Sequence, residues 1–165
     1  MEKPIKISNI LEENILHLKK IQLFESIEED LIQELVSIST ILKLKNEALI
    51  YQQGDIPSHF TFLTTGLVDL IINSKGSNPD LLFQTYESGE IFGTISIFSG
   101  LPYATRAVAR GDSVVLKIRI EMLMAFFDRN PKILKNLIQL ICKKNYEISQ
   151  KESNSPRFYG VFADC

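Results

Sequence analysis

Gly89-Glu90-Ile91-Phe92-Gly93-Thr94-Ile95-Ser96-Ile97-Phe98-Ser99-Gly100-Leu101-Pro102-Tyr103-Ala104-Thr105-Arg106-Ala107-Val108 is the stretch on which the fold turns. It opens just after a Ser88-Gly89 turn signal. Gly93 to Ile95 offer successive backbone amides of the kind that form an anion nest. Thr94, Ser96 and Thr105 add hydroxyls. Beyond them Thr105, Ala107 and Ala109 alternate with Arg106 and Val108, so small residues take one face of a strand. If that face is an interior, Arg106 points outward. It is then either an exposed strand arginine or the one cation near a ligand.

The same alternation extends in both directions. Leu42/Leu44, Leu49/Tyr51, Phe60/Phe62, Val68/Leu70/Ile72 and Val114/Leu116/Ile118 alternate with more polar neighbours, as half-buried strands do. Gly54-Asp55, Gly66, residues 74–79 and Gly111-Asp112 read as turns between them. Short strands at this spacing predict an antiparallel barrel or sandwich over about residues 41–119. Helices flank it. Residues 9–21 are amphipathic, and Ser26-Ile27-Glu28-Glu29 reads as a capping box for a helix to about Ser39. Glu121–Phe127 forms a short apolar helix. Asn130-Pro131 then opens a long one, running to about Gln150. Residues 151–165 read as a loose tail.

The 165 residues suit one domain, and 45% hydrophobic content supplies a core. A net charge of −2 gives no pull toward DNA or an anionic membrane. Neither a signal peptide nor a membrane span is legible, which predicts a cytoplasmic protein. Cys142 and Cys165 suit free thiols, and two cysteines with two distant histidines give no metal-ligand spacing. His17 and His59 lack partners at ligand distance in the sequence, so both read as ordinary packing or surface residues. No Ser/His/Asp order and no glycine-rich phosphate loop is present, which predicts no enzyme.

Helix, barrel, helix is the order of the cyclic nucleotide-binding domain, and several segments resemble that family. They are Leu18–Phe24, Gly54-Asp55, Phe60-Thr61-Phe62-Leu63-Thr64-Thr65-Gly66-Leu67-Val68, Gly89-Glu90-Ile91-Phe92-Gly93 and Asn130-Pro131. The resemblance covers about residues 15–150. It implies mainly β structure: a double-stranded β-helix (jelly-roll) barrel with N-terminal helices and a long C-terminal helix. It also implies a phosphate-binding cassette formed by Phe92, Gly93, Thr94, Ile95, Ser96, Tyr103, Ala104 and Thr105.

In the family's cassette, helix-start amides meet the cyclic phosphate, an arginine neutralises it and a glutamate accepts from the ribose. Here Thr94 stands at the glutamate position and Tyr103 at the arginine position. Each hydrogen bond to a charged group lost this way costs about 1.5–3 kcal/mol, or roughly 10- to 150-fold in affinity. A phosphate buried without a counter-charge adds a further penalty.

On the last helix, Leu134, Ile138, Ile141, Asn145 and Ile148 fall at alternating four- and three-residue steps. That spacing makes a short a/d seam. The resemblance implies that this helix pairs two subunits, and Asn145 would set a two-stranded register; otherwise the stripe packs on its own barrel. Residues 151–165 are too few for a helix-turn-helix, so direct DNA binding is not expected. Two readings stay open. One is a stand-alone regulatory sensor whose atypical pocket takes a cyclic nucleotide or related small molecule, signalling through the C-terminal helix to a partner protein or second subunit. The other is a degenerate, non-binding domain that serves as a dimerisation or interaction module.

Overall fold

The computed structural model describes residues 7–74 and 78–153. The chain divides into two compact units, Met1–Phe126 and Phe127–Cys165. The first holds helices α1 (Ile7–Lys19), α2 (Glu29–Ser37) and α3 (Thr94–Ser99). Its strands are β1 (Ser39–Leu44), β2 (Leu49–Tyr51), β3 (His59–Ile72), β4 (Leu81–Glu87), β5 (Ile91–Phe92) and β6 (Arg106–Arg119). Helix α4 (Ile120–Arg129) spans the division, and α5 (Pro131–Ser153) lies in the second unit.

Every pairing is antiparallel. The sheet runs β1-β6-β3-β4, with β2 also on β6 and β5 also on β3, a jelly-roll-like arrangement that hydrogen bonds do not close. One core gathers Val68 and Leu70 from the alternation read in the sequence, and Ala107, with Tyr51, Tyr86, Phe92 and Tyr103. Leu63 and Val115, which that alternation did not pick out, belong to it as well. Phe60, Phe62, Leu116 and Ile118, at the opposite parity, are buried as well. Phe62 meets Phe24 with ring centroids 5.2 Å apart. Strands this apolar on both faces read as a run of hydrophobics in which helical and strand periods blur.

Two sequence expectations are corrected. Gly66 and Gly111-Asp112 are not turns: each lies inside a 14-residue strand, β3 or β6. The register between these strands slips around Thr65, so the glycines bend a continuous ladder instead of ending it. Gly66 has φ +94°, and a Cβ there would stand 2.3 Å from Ser113 Oγ and 2.7 Å from the Asp112 carbonyl oxygen. The Ser26 capping box does not form either. A 3₁₀ turn over Gln22–Phe24 takes up that segment, and α2 starts after Glu28 with no side-chain cap. The Glu28 carbonyl accepts from the amides of Leu31 and Ile32. The buried face of α2 is therefore Ile32, Leu35 and Val36, with Leu31 only half-buried.

In the second unit α5 begins at Pro131, and the Ile133 amide donates to the Asn130 carbonyl. Ile133 and Leu137 are its buried residues. Of the seam residues, Leu134, Ile141 and Ile148 are half-buried, Ile138 is 49% exposed and Asn145 is exposed. The helix carries on past Gln150 to Ser153; the rest of the expected tail, residues 154–165, lies outside the described residues.

Candidate functional site: an aromatic cassette

Strand β5 pairs with β3 through Thr61 and Phe92, which delivers the chain to Gly93 at the sheet. Gly93 has φ +75°, the left-handed conformation that favours glycine, and lets the chain turn straight into α3. Space gives a second reason for glycine. A Cβ there would lie 2.9 Å from Tyr103 Cε1 and 3.3 Å from the Tyr51 hydroxyl. Helix α3 ends at Gly100, also left-handed, whose amide returns to the Ser96 carbonyl. The Ser96 hydroxyl donates to the Pro102 carbonyl, closing the loop on itself.

The loop then docks on the segment after β2. The Tyr103 amide donates to the Asp55 carbonyl at 2.9 Å, and the Gly54 amide donates to the Tyr103 carbonyl at 2.8 Å. This reciprocal pair fixes the Tyr103 ring against Tyr51, stacked at a centroid distance of 3.6 Å and 9° between planes. Phe92 lies 6.1 Å from Tyr51 and 5.8 Å from Tyr86. Four aromatic rings thus fill the region behind the cassette.

The candidate residues separate into two groups. Phe92, Thr94, Ser96, Tyr103 and Thr105 are buried beside Gly93, whereas Ile95 is 65% exposed and Ala104 is exposed. Arg106 faces away from Thr105 and Ala107. Its Nε donates to Asn73 at 2.8 Å, and its NH2 group pairs with Asp80 at 2.9 Å. It is thus committed to the β3–β4 connection.

Electrostatically the tyrosines behind the cassette are neutral. Burial pushes the Tyr51 phenol far above its usual range, with the nearby Thr105 side chain opposing the shift. The Tyr51 hydroxyl is nonetheless buried without a well-formed hydrogen bond. Burial, and then Asp55, raise Tyr103 to about 12; burial, and then Glu90, raise Tyr86 to about 12. All three rings are uncharged at neutral pH. No cluster of metal-ligating side chains exists among the described residues.

Sequence reasoning missed Tyr51 as a site residue. Its place in the Leu49/Tyr51 alternation marked it as a strand residue, and only the fold brings it against Tyr103.

The cyclic nucleotide-binding domain model matches residues 41–130, which is more than half of the chain. The chain belongs to that family. It is 31% identical over 114 residues to an uncharacterized protein of Haemophilus influenzae, covering 67% of this chain and 88% of that one. It is 28% identical over 93 residues to a cAMP-dependent protein kinase regulatory subunit of Blastocladiella emersonii, covering 56% of this chain but only 23% of that longer relative. Among solved structures, a cyclic nucleotide-binding domain from Methylobacillus flagellatus superposes with a TM-score of 0.70 at 20% identity. That match covers 87% of this chain and 82% of the other, a likeness of fold.

Proposed function

We propose that this domain is a non-enzymatic regulatory sensor with a rebuilt pocket, one that does not hold a cyclic nucleotide in the family's ion-paired way. The observation that carries the reading is the Tyr103 ring stacked at 3.6 Å on Tyr51, at the position where the family places its arginine. Arg106, the one arginine within residues 89–108, does not replace it, because it is spent on Asp80 and Asn73. A ligand approaching Gly93 meets the Tyr103 ring, which lies 2.9 Å from where a Cβ on that glycine would stand. What it would find is hydroxyl chemistry: Thr94, Thr105 and the unsatisfied Tyr51 hydroxyl. Such a pocket suits a small molecule held by neutral hydrogen bonds. Its signal would pass through α5 to a second subunit or a partner protein in the cytoplasm.

The competing reading, a scaffold without a ligand that serves dimerisation or interaction, draws on the same aromatic filling. Thermal unfolding against a panel of cyclic mono- and dinucleotides separates the two, since a ligand that binds only the folded state raises the melting temperature. The sensor reading expects a small shift that disappears in Gly93→Val. A flat response across the panel supports the interaction module.

A further inference from the structure

A cavity beside the Tyr51–Tyr103 pair carries polar groups that the cassette does not use. It measures about 200 Å³ and lies between the β2–β3 connection and the strands β3 and β6. Ligand pockets for drug-sized molecules run to roughly 300 Å³ and above, so this one suits a few heavy atoms. Its chemistry is polar on an aromatic floor. Thr61 and Lys117 are direct partners across the β3–β6 ladder, so both side chains project to the same face. Val115, two residues before Lys117, is in the barrel core, which puts Lys117 on the inward side at the end of the barrel. Ser58 and His59 stand beside it, sharing a hydrogen bond of 2.8 Å.

Lys117 is the anomaly. A lysine on the inward face of a barrel is ordinarily paired, yet among the described residues no carboxylate stands within ion-pair distance of it. Burial alone lowers its pKa, with no neighbouring charge contributing. His59 adds to the excess: burial first, then the Lys117 charge, lower its pKa, and Arg119 lowers it further while Glu121 opposes. Asp55 on the rim is already accepting from the Gln52 amide. Thr61, the cross-strand partner of Lys117, is buried and carries a hydroxyl.

We infer that this cavity is a binding site for a small oxyanion, inorganic phosphate or the terminal phosphate or carboxylate of a small metabolite, with Lys117 as counter-charge. The hydrogen-bond donors are Thr61 and one member of the Ser58–His59 pair, the other member being engaged in the bond they share. The cavity adjoins the cassette, with Tyr51 and Tyr103 lining it, but the groups that would hold the anion, Lys117, Thr61, Ser58 and His59, are not cassette residues.

Inorganic phosphate is the probe, titrated against chloride at matched ionic strength while backbone amide resonances are followed. The expected result is a saturable shift confined to residues around Thr61 and Lys117, with affinity falling about tenfold or more in Lys117→Gln. Lys117→Arg should keep binding, and Thr61→Val should weaken it while leaving the fold intact. Acetate in place of phosphate distinguishes a phosphate site from a carboxylate site. Equal titrations in the wild type and in Lys117→Gln, or no saturable shift with either anion, would overturn the inference.

Discussion

In the proposed reading, Tyr103 is the residue that sets what the cassette accepts. An arginine at its position would bring a charge that needs a phosphate; a tyrosine brings a ring that is satisfied by another ring. The stack on Tyr51 is a packing device, and removing it should show as lost stability. Tyr103→Ala is expected to cost about 3 kcal/mol, the range for truncating a buried aromatic, measured by urea unfolding. The tyrosines also give a titration signature. Tyr51, Tyr86 and Tyr103 all have raised pKa values in the folded state, so the stability they contribute is intact below the unfolded value near 10 and is lost as pH climbs above it. Ultraviolet absorbance should show these three ionising only as the domain unfolds. Ionisation of these three near 10, before unfolding, would contradict their burial.

At the scale of elements, the two long strands carry the site and their bends aim it. Gly66→Ala should cost about 2–3 kcal/mol, because it combines a positive φ with a clash on the Ser113 and Asp112 backbone. Gly54→Ala has a similar φ of +92° but open space around it, so it should cost about 1 kcal/mol. Equal losses in denaturant melts would mean that the close approach of β3 to β6 is not what holds Gly66 there. These glycines also mark what was legible in the sequence. Alternation through Phe60/Phe62 and Val114/Leu116/Ile118 reports side-chain parity within a short stretch, so the strands were readable. The inward parity of β3 nonetheless switches across the slip at Thr65, from Leu63 to Val68 and Leu70. Whether Gly66 ends a strand or bends one depends on a partner strand far away in sequence, and local residues do not encode it. Ser26 failed for a similar reason: its spacing to Glu29 suits a cap, but Leu23 and Phe24 are buried, and the 3₁₀ turn that places them displaces the helix start. The cassette was legible by position, with Thr94 and Tyr103 recognised as departures. Tyr51 and Lys117 were not, since each acquires meaning only from across the sheet.

For the whole molecule, two properties follow. Burial lowers the pKa of both His17 and His59 relative to the unfolded chain, so the unfolded state takes up protons first on acidification. Stability should be full above about pH 6.5 and fall below it, and His17→Gln should recover part of that loss in melting experiments at pH 5.5. Self-association is the second property. The half-exposed Ile138 and the Leu134, Ile141 and Asn145 seam of α5 leave an apolar stripe that we propose pairs two copies, and Ile138→Glu should convert dimer to monomer in sedimentation. No helix among the described residues is long and apolar enough to cross a membrane. The central claim is that an aromatic stack has replaced the counter-charge of the cassette, and titration calorimetry with cAMP and cGMP tests it most directly, comparing the wild type with a Thr94→Glu/Tyr103→Arg variant. The wild type should bind no tighter than about millimolar, and the variant should gain roughly 100-fold or more as two charge-assisted contacts are restored. Micromolar binding by the wild type, unchanged or weakened in the variant, would contradict the account.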